Sequence, residues 1–423
     1  MPHILKLPNE IISLILDELG ESVEWKLRLM ATCHHLRTLV LPRFYSACSL
    51  EFGRAAVMSR AVLCDNSARH IWRSHQTHPE YGTFVKHLNV SFNIRFSVTG
   101  TMVDEKEDLE ELEARSPRYV FGQLLPRFNT LKKARLTRTA GSRDIKFSGF
   151  YDTIRMVLSC GSLKELSISL IVHNSDVERW ETEEQDTNYE GLLANLDTLM
   201  VEFREKRWFV RDQAKTAIPW LMGILLDLLG PPCRNLKSLD FRYKGELFNL
   251  SDTWNMLSDE QKILNETGRR LKLSRLEDLK LSVSDGGRWV FEQFVEIDPK
   301  NIRVLSLTGV NNGPLGEDLR LLQSFSGLSY LHLRYPPFNF HTLKDWITGI
   351  LASSKMWPDL REAIVYGRFR LSRADLGDLM KPYGDSFDAR IEEVQDQGVD
   401  RYFWAESIRI HLYPSRADRE AMP

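Results

Sequence analysis

Apolar and polar residues alternate along most of this chain in a recurring phrase, L-x-x-L-x-L with variants. It reads Val85, Leu88, Val90; Leu131, Ala134, Leu136; Leu163, Leu166, Ile168; Leu196, Leu199, Val201; and Leu236, Leu239, Phe241. It continues as Leu276, Leu279, Leu281; Ile302, Leu305, Leu307; Leu328, Leu331, Leu333; Leu360, Ala363, Val365; and, weakly, Ala405, Ile408, Ile410. Each phrase ends in a period-2 segment such as Tyr330-Leu331-His332-Leu333-Arg334, the signature of a short strand. Between phrases, stretches such as Trp220 to Leu229 and Leu343 to Leu351 carry helical spacing, so the pattern predicts one strand and one helix per copy.

The N-terminal residues follow a different period. Pro8 suits the first position of a helix, where its missing N–H would be unpaired anyway, and Glu10 places a negative charge near the positive end of the helix dipole. At 100° per residue, Ile11, Ile12, Leu14, Ile15, Leu16 and Leu19 spread over an arc of roughly 200°, wider than the stripe of a one-sided surface helix. Such a helix needs burial on more than one side. Gly20 follows as a C-cap, and Trp25, Leu27, Leu29, Leu36, Leu39 and Leu41 supply two further short helices.

The order Leu7-Pro8-Asn9-Glu10-Ile11, Leu27-Arg28-Leu29, Thr32-Cys33, Leu36-Arg37 and Pro42-Arg43-Phe44-Tyr45 resembles the F-box, in its divergent, fungal-type form. The F-box is a small helical module that docks a protein onto a Skp-type adaptor of a cullin ubiquitin ligase. The resemblance covers residues 1–46 and implies adaptor-binding positions at Leu7, Pro8, Ile11, Ile15, Leu16, Leu19, Leu29, Cys33, Leu36, Leu39, Pro42 and Tyr45. Roughly half of such positions in the family touch the adaptor and the others hold the helices together. The match departs from the family pattern at residues 21–26, which replace the usual short acidic turn and leucine. A plain helical cap on the following domain is the alternative reading of the same leucines.

From Leu131 the phrases start 32, 33, 40, 40, 26, 26 and 32 residues apart, near or above the roughly 20 to 29 residues of regular leucine-rich repeats. One strand and one helix cannot bury their own leucines, whereas stacked copies share a continuous core. Residues 83–413 therefore resemble an irregular leucine-rich-repeat solenoid with a curved parallel sheet. The expected class is α/β: a three-helix F-box (1–46), a helical connecting region (47–82), the repeat domain (83–413) and a tail (414–423). An ordinary α/β sheet with helices on both faces is the rival.

Alternation points the leucines into the core and their neighbours outward. Asp240, Arg242, Lys280, Tyr330, His332, Arg334, Tyr366, Arg409 and His411 are thereby expected to form an exposed band on the concave face, a candidate for binding a protein substrate. Tyrosine and arginine are enriched at binding hot spots.

Composition narrows the partners. Of 423 residues 43% are hydrophobic and 27% charged, an ordinary globular balance, and the net charge of −2 gives no general attraction to nucleic acid or anionic membranes. No secretory signal is expected, because Asn9, Glu10, Asp17 and Glu18 interrupt the first apolar residues, and no apolar stretch reaches the length of a membrane span. Five scattered cysteines suit reduced thiols inside the cell, in cytoplasm or nucleus. Two acidic stretches, Asp104 to Glu113 and Glu178 to Asn188, read as solvated insertions or as surfaces for a basic partner.

His70, His75 and His78 lack the supporting ligands of a metal site, and no phosphate-binding glycine loop, zinc-protease helix or nucleophile elbow is present. No cofactor and no catalytic residue is expected. The sequence points to a non-catalytic substrate receptor of a Skp-cullin-F-box ligase, partnered by the adaptor, through it a cullin, and a protein substrate. An F-box scaffold without ubiquitin transfer is the alternative, and a stand-alone enzyme the reading from another class.

Overall fold

The structure, a computed structural model, describes residues 7–18, 23–54, 61–63, 74–97, 116–138, 147–172, 196–205, 235–244, 271–283, 295–308, 324–334, 357, 359–372, 374, 387–395 and 402–412. The chain forms two compact units, Met1–Ser169 with Glu178–Glu183 and Leu170–Val177 with Glu184–Pro423. The chain as a whole is α/β: most of its strands run parallel, and the described helices are few.

The first unit opens with helices α1 (Asn9–Glu18), α2 (Val23–Thr32) and α3 (His34–Phe44). Pro8 stands just before α1, and its carbonyl accepts from the Ile11 and Ile12 amides at 3.0 and 3.1 Å, so it closes the first turn from outside. Cys33 caps α3, its Sγ accepting from the Leu36 amide. Ile12, Leu16, Leu36 and Val40 form the internal core, with Leu29, Met30, Cys33 and Leu39 packed against it. Arg43 ties α3 to α1, donating to Asp17 Oδ1 at 2.8 Å and to the Ser13 carbonyl at 3.3 Å. The expected cap Gly20 lies outside the described residues.

Residues 47–82, expected as a helical connector, hold two strands together with helical turns at 74–77 and Pro79–Phe84. β1 (Ala47–Arg54) pairs antiparallel with the short β2 (Ala61–Leu63) and parallel with β3 (His87–Ser97). The reason is visible in the residues: Tyr45, Cys48 and Leu50 occupy the three phrase positions, and Cys48, Leu50 and Phe52 are buried at period 2. The parallel strand register thus already includes β1.

After β3, helix α4 (Pro117–Leu124) starts at Ser116, whose side chain accepts from the Tyr119 amide, with proline at the first position. β4 (Lys133–Arg138), α5 (Phe147–Leu158) and β5 (Glu165–Val172) complete the first unit's strand order β2-β1-β3-β4-β5. Phe52, Phe92, Phe121 and Phe150 pack together beneath these strands, with ring centroids 5.2 to 5.5 Å apart. Aromatic contacts of this kind supply a large share of a small core's burial.

The second unit contains β6 (Thr198–Glu205), β7 (Ser238–Lys244), β8 (Leu271–Leu273), β9 (Asp278–Val283), β10 (Val295–Ile297), β11 (Val304–Thr308), β12 (Tyr330–Arg334), β13 (Glu362–Ser372), β14 (Phe387–Gln395) and β15 (Tyr402–Leu412). β6, β7, β9, β11, β12 and β13 are parallel neighbours in that order, while β8 and β10 form a separate parallel pair. Their register aligns Leu199, Leu239, Leu279, Leu305, Leu331 and Ala363 in one row.

Most of the parallel steps are fixed in the same way by main-chain atoms. The Lys86 carbonyl accepts from the amides of Lys132 and Lys133, and the Lys132 carbonyl from those of Lys164 and Glu165. In the second unit the carbonyls of Asp197, Lys237, Glu277, Arg303 and Ser329 do the same for the two residues that open the next strand. A carbonyl has two lone pairs, so one acceptor serves both amides.

The last weak copy departs from this scheme. Ala405, Ile408 and Ile410 lie on β15, which runs antiparallel to β13 and carries β14 antiparallel on its far side. Among the described residues, the α-helices that follow strands at full length are α4 after β3 and α5 after β4, while short helical turns follow β2 and β10. The helices expected at 220–229 and 343–351, and both acidic stretches, lie outside the described residues.

Candidate functional site

Two surfaces carry the residues that the sequence singles out, one in each unit. In the first, α1 turns Ile12 and Leu16 into the three-helix core and leaves the opposite side bare. Leu7, Ile11 and Ile15, four residues apart and hence on one face, are 37, 43 and 38% exposed, and Leu14 beside them is 61% exposed. Trp25 and Leu27 on α2 are 51 and 50% exposed. Pro8 is exposed as well.

The expected adaptor positions therefore divide. Leu7, Pro8, Ile11 and Ile15 are open to a partner. Leu16 and Leu36, at 7 and 3% exposure, lie in the core of the three helices, the holding role that the resemblance also allows. Leu29, Cys33 and Leu39 are partly buried against the same core.

Pro42 and Tyr45 are half-buried, and Tyr45 stacks on Tyr81 at 4.4 Å and meets His75 edge-on at 5.7 Å. Leu19 lies outside the described residues. Leu14, Trp25 and Leu27 are exposed positions that the motif did not single out; the wide apolar arc already contained Leu14, and Trp25 and Leu27 already read as apolar on α2.

In the second unit, the residues facing away from the core on β6, β7 and β9 form an ionic row. Arg242 donates to both carboxylate oxygens of Asp240, at 2.9 and 2.6 Å. Arg204 grips Glu202, which is almost wholly buried, at 2.9 to 3.0 Å. The hydrogen bonds it donates to Asp240, then the charges of Asp240 and Glu202, hold the Arg242 guanidinium above its ordinary pKa.

On the next strand Lys280 pairs with Asp278 at 3.2 Å, and the Ser238 hydroxyl donates to the same Asp278 oxygen. Asp240 and Lys280 stand in direct register, and the row continues through Ser306 to His332.

Asp240, Arg242 and Lys280 share this row, but Asp240 and Arg242 pair with each other, Lys280 pairs with Asp278, and Glu202 with Arg204 completes the row, so they do not stand as a free band. Tyr330 is 37% exposed and His332 half-buried, both on β12. Arg334 aligns with Thr308 and Tyr366, while Arg409 and His411 on antiparallel β15 align with Ile364 and Glu362. The side chains of Arg334, Tyr366, Arg409 and His411 lie outside the described residues. The partners Glu202, Arg204 and Asp278 were findable from the sequence, since Glu202 and Arg204, like Asp240 and Arg242, sit two apart on a strand and share a face.

Burial pushes the Cys48 thiol up to about 12 and Cys160 to about 11, which leaves both protonated and unreactive at neutral pH. Among the described residues no group of three or more histidine, cysteine or carboxylate side chains is placed to hold a metal ion. His75 is enclosed and His78 contacts Glu80 at 3.2 Å, while His70 lies outside the described residues. Among the described residues, no helix is long and apolar enough to cross a membrane.

No known family model matches the chain, and no curated protein matches it significantly.

Proposed function

We propose that the chain is the substrate-recognition subunit of a Skp-cullin-F-box ubiquitin ligase. In this reading α1 to α3 are the F-box, and the parallel strands belong to an irregular leucine-rich-repeat solenoid that holds a protein substrate inside the cell. The observation that carries the proposal is the bare apolar stripe Leu7, Ile11, Leu14 and Ile15 on a module whose own core is already closed by Ile12, Leu16, Leu36 and Val40. A helix with one finished face and one unfinished face is built to receive another protein. The ligase's own enzymes supply the chemistry, and the receptor contributes proximity, raising the effective concentration of substrate lysines near the charged conjugating enzyme.

The test is co-expression of the full chain with a Skp-type adaptor and size-exclusion chromatography of the mixture. The intact chain co-elutes; the Ile11→Asp, Ile15→Asp double variant stays folded and elutes alone. Point variants are preferred to removal of residues 1–46, because truncation would take Tyr45 away from Tyr81 and His75. Failure of the folded intact chain to bind the adaptor removes the ligase reading. Adaptor binding without accumulation of any associated protein on cullin inactivation favours an F-box scaffold that transfers no ubiquitin.

A further inference from the structure

The rim of the second unit, where its strands begin, holds a feature that neither the open strand face nor the helical module uses. An open groove of about 670 Å³ runs along this edge. Its cations are Lys237, Arg275, Lys300, Arg303 and Arg361, all exposed.

Among the described residues, none of the five has an ion-pair partner; Arg275 alone makes a side-chain bond, to the Asn235 amide oxygen at 3.4 Å. Surface cations in the neighbouring ionic row are neutralised in pairs, and the chain as a whole is slightly acidic. Unpaired positive charge gathered in a concave site therefore stands out as an electrostatic signal rather than as background.

The geometry of the groove is set by the repeat. Lys237, Arg303 and Arg361 occupy the residue just before a strand, where the two-amide carbonyl clamp fixes their backbones and leaves their side chains to solvent. The wall between them is stiff: the Asn301 side chain donates to the Ser274 carbonyl at 2.8 Å, and Gly327 lies so close to the Lys300 carbonyl that a Cβ would collide with it. A smaller cavity of about 310 Å³ continues from Arg303 and Arg361, past Glu277 and an Asp278 already engaged by Lys280 and Ser238, to Val304 and the exposed ring of Tyr330. The path leads from a cationic rim to an aromatic residue on the open strand face.

We infer that this groove binds an acidic, extended segment of a partner protein, with its carboxylates on Arg303 and Arg361 and an adjoining apolar or aromatic residue against Tyr330. Arginine forks suit carboxylates, and rim charges steer such a segment in before the closer contacts form. Glu277 and Asp359 in the same groove oppose a nucleic acid, whose evenly spaced phosphates would meet them, whereas a polypeptide offers them N–H donors. The inference gives the repeat domain of the proposed receptor a partner chemistry and depends on that reading only for treating this domain as the binding part. Adaptor binding through α1 is measured separately, so either idea can fail alone.

Fluorescence anisotropy of the full chain with a labelled Glu-rich peptide containing tyrosine tests it. Binding weakens as salt rises. Reversing two charges in the Arg303→Glu, Arg361→Glu variant lowers affinity by about tenfold or more, on the scale of several exposed ion pairs. The Lys86→Glu, Lys132→Glu variant, with the same charge change at equivalent positions of the first unit, lowers it less than about twofold. Arg303→Ala with Arg361→Ala gives an intermediate loss and serves if the reversal variant fails to fold. No binding by the intact chain, equal losses from both reversal variants, or tighter binding of a labelled single-stranded oligonucleotide lost through the same arginines would each overturn the inference.

Discussion

Acidification should loosen the first unit through one side chain, His75. The ring is fully enclosed, edge-on to Tyr45 at 5.7 Å and to Phe128 at 5.5 Å, and the Arg127 guanidinium donates to its own carbonyl. Among the described residues neither ring nitrogen has a hydrogen-bond partner. Burial, assisted by the Arg127 charge, lowers its pKa from the ordinary 6.5 to about 4.

Above pH 6.5 the imidazole is neutral in both folded and unfolded chains and stability does not depend on it. As pH falls from 6.5 towards 4, the unfolded chain takes up a proton that the folded chain refuses, and stability drains away. At about 1.4 kcal/mol per unit, the full window costs about 3 kcal/mol.

The assay is hydrogen exchange of peptides from β1 and β3, corrected for the intrinsic pH dependence of exchange, near pH 7.5 and near pH 4.5. The native chain should lose protection at the lower pH on the order of 2 to 3 kcal/mol. His75→Phe keeps a ring in the Tyr45 and Phe128 cage and removes an unsatisfied N–H, so it should match or exceed the native chain near neutrality by about 1 kcal/mol. In that variant the acid loss should largely disappear. An acid loss of the same size with phenylalanine in place would refute the reasoning, because the protons would then bind elsewhere.

Two further outcomes follow from the packing. Leu36→Ala should destabilise the helical module by about 2 to 5 kcal/mol, read as lost helical signal on urea titration, although Leu36 offers no surface to an adaptor. Gly327→Ala would set a Cβ against the Lys300 main-chain carbonyl, which has no flexible end to give way, and should lower the thermal midpoint by an amount matching about 1 to 3 kcal/mol; an unchanged midpoint would mean the Lys300 turn can move aside.

The strands were legible wherever leucine, isoleucine or valine marked them, since alternation at period 2 is a direct imprint of the pleat. β1 escaped because tyrosine and cysteine hold two of its three phrase positions. Direction also escaped: Ala405, Ile408 and Ile410 alternate as any buried strand does, and period 2 is the same for parallel and antiparallel neighbours. On α1 the wide apolar arc announces burial on two sides without telling which side the module itself closes, so the pattern alone does not separate Leu16 from Ile11 and Ile15. On β7 the reading placed Asp240 and Arg242 on one face but took both as open to a partner; at that spacing they neutralise each other first.

The clamp at the head of most parallel strands, one carbonyl holding two amides, bears on how such a chain can change over time. It uses main-chain atoms only, so the residue that carries it is under no demand from the clamp and is free to be lysine, arginine, glutamate or serine, as at Lys237, Arg303, Glu277 and Ser329. It also ignores what lies between strands, which is why steps of 26 and of 40 residues meet the same register. Insertions and rim substitutions can therefore accumulate without disturbing the stack, and a new binding preference needs no new scaffold.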